Sequence, residues 1–137
     1  LVLSHYRLAD EFVAALRHIV GETPHVRAIG LDPASTAPEE MRTQIDKAIR
    51  EVDQGKGVLV LVDMFGGTPS NLSLAFLDEG RVEVVTGVNL PMLVKVARQK
   101  EGTGIHELAE LARDYGRRNI SVASDLLGNR EPDKSAS

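Results

Sequence analysis

Residues 57–62, Gly-Val-Leu-Val-Leu-Val, carry no polar side chain, and Asp63 ends the run. A surface strand would alternate apolar with polar residues. A short, continuously apolar and β-branched stretch needs cover on both faces, as in a parallel sheet flanked by helices. The rest of the chain offers that cover. Residues 1–4, 26–31 and 81–86 read as three further strands, and helical spacing fills the intervals. Leu8, Phe12, Ala15, Leu16 and Ile19 share one face of a helix that Gly21 stops. Met41, Ile45, Ala48, Ile49 and Val52 mark a second, opening at Pro38 with Glu39 and Glu40 in its first turn. Helices are also expected over residues 69–77, with Thr68 as N-cap and Pro69 as first residue, and over 91–99 and 105–115. Residues 120–123 read as a short final strand. Strands alternating with helices imply right-handed crossovers and an open, doubly wound, mostly parallel α/β sheet with helices on both faces.

In such a sheet the ligand site lies beyond the carboxyl ends of the strands. His5 follows the first strand, Asp63 the third, and Gly87-Val88-Asn89 the fourth. If the order is the common 2-1-3-4, the first and third strands are neighbours about 4.8 Å apart, and His5 and Asp63 can hydrogen-bond. A carboxylate on one ring nitrogen fixes the imidazole tautomer and leaves the other nitrogen's lone pair free. It also stabilises the positive charge that develops when that nitrogen attacks an electrophile. His5 is therefore a candidate nucleophile. The adjoining loop, Phe65-Gly66-Gly67-Thr68, runs into a helix N-terminus, where free N–H groups and the helix dipole favour an anion. Its glycines permit close approach and the Thr68 hydroxyl adds a donor, so a phosphoryl group fits. The loop has no Walker lysine and the chain no pattern for a nucleotide base, so the donor need not be ATP and could be another phosphoprotein.

Composition removes other classes. A chain of 137 residues suits one domain, expected over residues 1–124, with a polar tail over 125–137 that is disordered at its end. There are no cysteines, which excludes disulfides and thiolate chemistry. A net charge of -4 argues against nucleic acid or an anionic membrane as partner. No apolar run approaches the ~20 residues that span a bilayer, and no signal-peptide pattern is visible, so a cytoplasmic location without membrane insertion is expected. His18 reads as a polar-face residue, His25 as a loop residue and His106 as a helix start. None has a metal-ligand partner at helical spacing, so neither metal nor cofactor is expected. Residues 90–93, Leu-Pro-Met-Leu, read as helix packing, and Arg117-Arg118 as a solvated helix end.

Three stretches carry a family resemblance: residues 61–71 (LVDMFGGTPSN), residues 87–93 (GVNLPML) and the opening LVLSHY with Leu8-Ala9. They closely resemble the IIA component of the mannose family of the bacterial sugar phosphotransferase system, over residues 1–123. The resemblance implies a phosphohistidine relay. His5 would take a phosphoryl group from the phosphocarrier HPr, through Nε2, and pass it to a IIB component serving the membrane components IIC and IID. Asp63 would hold Nδ1–H and Thr68 would bond the phosphoryl oxygens. It further implies a homodimer in which a C-terminal strand, placed at residues 120–123, is exchanged between subunits. Members usually carry Thr-His-Gly around the histidine, whereas this chain has Ser4-His5-Tyr6. Tyr6, with Asn89, stands at the expected edge of the site, and the lost glycine bears on partner choice more than on chemistry.

Other readings stay open from sequence. Phospho-His5 could signal to a regulator without sugar transport. The chain could be the phosphocarrier subunit of a dihydroxyacetone kinase, or a non-catalytic anion-binding module in which His5 is only a contact. Phe65 fits the mouth of the site as well as it fits simple packing.

Overall fold

The computed structural model describes residues 1–128, so most of the expected tail lies outside the described residues. Strand β3 (Val58–Val62) is buried along its whole length, as its composition requires. It lies beside β1 (Val2–His5) and β4 (Val82–Thr86), and β2 (Ala28–Leu31) pairs on the far side of β1. All pairings are parallel and the order is β2-β1-β3-β4, the order that brings the ends of β1 and β3 together. The helices are α1 (Leu8–Val20), α2 (Pro38–Val52), α3 (Thr68–Leu74), α4 (Leu90–Ala97), α5 (Ile105–Arg118) and α6 (Ala123–Leu127).

Side-chain alternation divides the core in two. Val2, Leu59 and Leu61 face α1, α4 and α5, where Val13, Leu16, Met92, Leu93, Ile105 and Ala112 meet them. Leu1, Leu3, Val58, Val60 and Val62 face the other way, against Met41, Ile45 and Ile49 of α2 and Leu72 of α3. Each fully buried aliphatic side chain contributes about 1.5–3 kcal/mol. The same alternation aims His5, two residues beyond Leu3, toward the α3 side.

Several boundaries differ from expectation for local reasons. Helix α3 begins at Thr68 with Gly67 in the N-cap position, not with Thr68 as cap. Pro69 is tolerated at the second helical position as well as at the first, because neither N–H has a helical acceptor. The first helical bond runs from Asn71 N–H to Gly67 O, 2.9 Å. The helix ends at Leu74, after which Phe76 and Leu77 make tighter three-residue turns. Residues 120–123, expected as a strand exchanged with a second subunit, form no strand within the single chain. A strand needs a neighbour for its backbone groups, and residues 120–122 leave α5 without joining the sheet, whose last strand is β4. Ala123–Leu127 instead closes a short helix, with Gly128 N–H bonded to Ser124 O at 3.0 Å. The domain boundary expected after residue 124 thus falls inside α6. Among the described residues no helix is long and apolar enough to cross a membrane.

Candidate active site at the carboxyl ends of β1 and β3

Register brings the two central strands to the site together: Leu3 pairs with Val62, and Asp63 N–H donates to Leu3 O at 3.2 Å. One carboxylate oxygen of Asp63, Oδ2, then accepts twice from His5. The backbone N–H lies at 2.9 Å and ring Nδ1 at 2.8 Å. The other oxygen, Oδ1, accepts from Met64 N–H at 2.9 Å. Burial alone would raise the Asp63 pKa, but the backbone and ring donors of His5, its charge and the Met64 N–H together hold it below the usual carboxylate value. An ionised carboxylate only accepts, so Nδ1 carries the proton and Nε2 of the neutral ring holds a lone pair. The Asp63 side chain is 10% exposed and that of His5 41%, so the carboxylate is sheltered while the imidazole remains open to solvent.

The loop after Asp63 is shaped around that second nitrogen. Gly66 has φ +90°, a left-handed conformation that suits glycine. Gly67 has an ordinary φ of −93°, so its requirement is space. A Cβ there would stand 2.5 Å from His5 Cε1 and 2.8 Å from Nε2. The unsubstituted edge of the ring therefore lies against the start of α3, whose first turn carries N–H groups without helical acceptors. Thr68 follows Gly67 at the head of that helix, half-buried. Because a glycine occupies the cap position, no side-chain capping bond is made there.

Of the other expected site residues, Phe65 is 70% exposed beside the loop and packs into neither core cluster. Tyr6 follows His5 directly and is also exposed. Asn89 is occupied elsewhere. Its side chain accepts from Met92 N–H and donates to Gly116 O, both at 3.0 Å, capping α4 and tying it to α5. His106 lies far along the chain on α5, with Nδ1 and Nε2 each 3.2 Å from a carboxylate, Glu83 and Glu110. Among the described residues no cluster of three His, Asp or Glu could hold a metal ion.

Two supporting residues were invisible to sequence reasoning. Ser4 is wholly buried, and its Oγ accepts from Ala9 N–H at 2.6 Å, fixing α1 to the end of β1. Gly30 on β2 pairs with Ser4, and a Cβ there would lie 1.8 Å from the Tyr6 carbonyl oxygen. Only the strand pairing reveals that requirement, since nothing near Gly30 in sequence signals it.

Comparison with known proteins agrees with the fold. The family model EIIA-man, PTS system fructose IIA component, matches residues 1–113. The mannose-specific EIIAB component of the phosphotransferase system of Escherichia coli (strain K12) is 32% identical over 121 residues, 87% of this chain and 37% of that protein. This chain thus spans little more than a third of that relative. The transcriptional regulatory protein LevR of Bacillus subtilis (strain 168) is 32% identical over 126 residues, 90% of this chain and 12% of LevR. Among solved structures, the mannose/sorbose specific IIA subunit from Enterococcus faecalis superposes with a TM-score of 0.79 at 25% identity, covering 96% of this chain and 95% of that one. The parallel sheet in the order 2-1-3-4 and the match over residues 1–113 agree, and the chain belongs to the EIIA family of the sugar phosphotransferase system.

Proposed function

We propose that the chain is a phosphocarrier that accepts a phosphoryl group on His5 Nε2 from HPr and passes it to a IIB component in carbohydrate uptake. The observation that carries this reading is the 2.8 Å contact from His5 Nδ1 to Asp63, with the opposite edge of the ring set against Gly67. The Nε2 lone pair forms the bond to phosphorus while the donor's own bond to phosphorus breaks, and that electron pair returns to the donor. The imidazole becomes cationic, and Asp63 balances the charge through Nδ1–H. N–H groups at the start of α3 and the Thr68 hydroxyl neutralise the phosphoryl oxygens. Transfer to the acceptor reverses these steps. Both partners reach His5 from solvent in the cytoplasm.

Incubation with phosphoenolpyruvate, enzyme I and HPr should place an acid-labile, alkali-stable phosphate on the protein. His5→Ala should take none, and label that survives this substitution would refute the assignment.

The likeness to LevR favours a second reading, in which phospho-His5 serves as a signal to a regulator. Rapid loss of label to a IIB protein supports transport; label that persists with IIB present supports signalling. A homodimer accompanies either reading. Its support is the outer edge of β4 together with Ile120 and Val122, both exposed in the single chain. Light scattering should give twice the chain mass, and a monomer at micromolar concentration would remove this part.

A further inference from the structure

Three observations meet at Tyr6. Its φ is +51°, the sole non-glycine residue with positive φ among those described. A bulky aromatic side chain is strained there, whereas glycine would not be. The turn is held from several sides: Tyr6 N–H donates to Leu31 O at 2.8 Å, its carbonyl rests on the bare Cα of Gly30, and Ser4 Oγ anchors the next helix at Ala9. The backbone therefore dictates a left-handed residue at this position, and the chain places tyrosine on it. The residue gains little burial in return, being 61% exposed. The guanidinium of its neighbour Arg7 lies over the ring, 5.2 Å from the centroid.

The surroundings suggest what such a side chain is for. The protein has three phenylalanines and two tyrosines. Tyr6 and Phe65 are exposed, and the other three are half-buried. In the chain Tyr6 directly follows His5 and Phe65 stands two residues after Asp63, with the intervening Met64 exposed as well. Exposed aromatic residues with an adjacent arginine are the residue types that concentrate binding energy in protein interfaces. A cation at Arg7 would favour one of the two macromolecules that visit His5 in the reading above. A donor arrives carrying the charge of a phosphoryl group, and an acceptor arrives without it.

Resting on the phosphocarrier reading above, we infer that Tyr6, stacked under Arg7, is a specificity-determining residue that docks the phosphorylated donor protein at the rim of the His5 site. Strain at Tyr6 is retained because the exposed ring serves the encounter and not the fold. It touches the partner protein and takes no part in the bond exchange at Nε2.

The test compares two phosphoryl donors for His5, phosphorylated HPr and the small molecule phosphoramidate. Tyr6→Gly and Tyr6→Asn both suit a left-handed position and should fold with a Tm no lower than that of the unmodified chain. In each, KM for phosphorylated HPr should rise about 10-fold with kcat little changed. The rate with HPr relative to that with phosphoramidate should fall by a similar factor. Tyr6→Phe, which keeps the ring, should restore the original ratio. An unchanged KM in Tyr6→Gly would overturn the inference, as would equal losses with both donors, which would make Tyr6 a positioning residue for His5. If the unmodified chain takes label from phosphoramidate but none from HPr, the phosphocarrier reading fails, and this inference fails with it.

Discussion

Two strand-to-helix junctions stand side by side at the carboxyl end of the sheet, and they are finished in opposite ways. After β4, Asn89 folds its side chain back to cap α4 and to hold α5, so the polar groups there satisfy one another. After β3, a glycine occupies the cap position, no side chain closes the helix start, and the imidazole of His5 fills the space left by a missing Cβ. The first junction is sealed by its own chemistry, and at the second no side chain caps the helix start. Position at the active edge of a doubly wound sheet is therefore not enough to make a residue functional. What matters is whether its polar groups are already spent.

The largest expected effect comes from closing the open junction. Gly67→Ala would drive a methyl group against Cε1 and Nε2 of His5, displacing the ring or blocking the nucleophile. Phosphorylation by HPr should fall by about 100-fold or more while circular dichroism remains that of the parent, since the backbone at Gly67 is ordinary. Near-normal labelling of a folded Gly67→Ala protein would show that the close approach has no functional meaning.

Asp63→Asn should come next. It keeps the shape but loses the negative charge that fixes Nδ1–H and balances the phosphorylated ring, and transfer should slow by about 100-fold. The same change has a signature in stability. The Asp63 carboxyl is held below its ordinary value of 3.8 in the folded state, so its contribution is complete above that pH. The contribution is lost as pH falls through the folded-state value. Acid unfolding of Asp63→Asn should therefore depend less steeply on pH below about 4 than that of the parent. Identical acid limbs would contradict the assigned ionisation.

The sealed junction should respond only in stability. Asn89→Ala leaves Met92 N–H without its cap and Gly116 O without a donor, at a cost of about 1–2 kcal/mol by chemical denaturation. Its rate of labelling should stay within about twofold of the parent, because Asn89 bonds to α4 and α5 and not to the His5 site. A loss of transfer comparable to that of Asp63→Asn would erase the distinction between the two junctions.

Much of this was legible in the chain because local pattern and global fold agree. The run 57–62 demands a sheet covered on both faces, and β3 with its two core clusters meets that demand. The pairing of His5 with Asp63 followed from strand order, and the order proved to be the one assumed. The rest was not legible where the deciding partner is distant or absent. Gly30 answers to the carbonyl of Tyr6 on another strand, which no local pattern encodes. Residues 120–122 have strand-like composition but do not pair with the outer edge of β4 within one chain, and α6 begins at Ala123. Asn89 shared its edge position with His5 and Asp63, and only its hydrogen bonds revealed that its polar groups are taken up by α4 and α5.

The most direct measurement is the site of phosphorylation within the imidazole of His5. Nitrogen-15 and phosphorus-31 NMR of the protein labelled through HPr distinguishes the two ring nitrogens by their couplings. With Nδ1 bound to Asp63 at 2.8 Å, the phosphoryl group should reside on Nε2 and Nδ1 should keep its proton. Phosphate on Nδ1 would require the Asp63 bond to break and would contradict the mechanism at its centre.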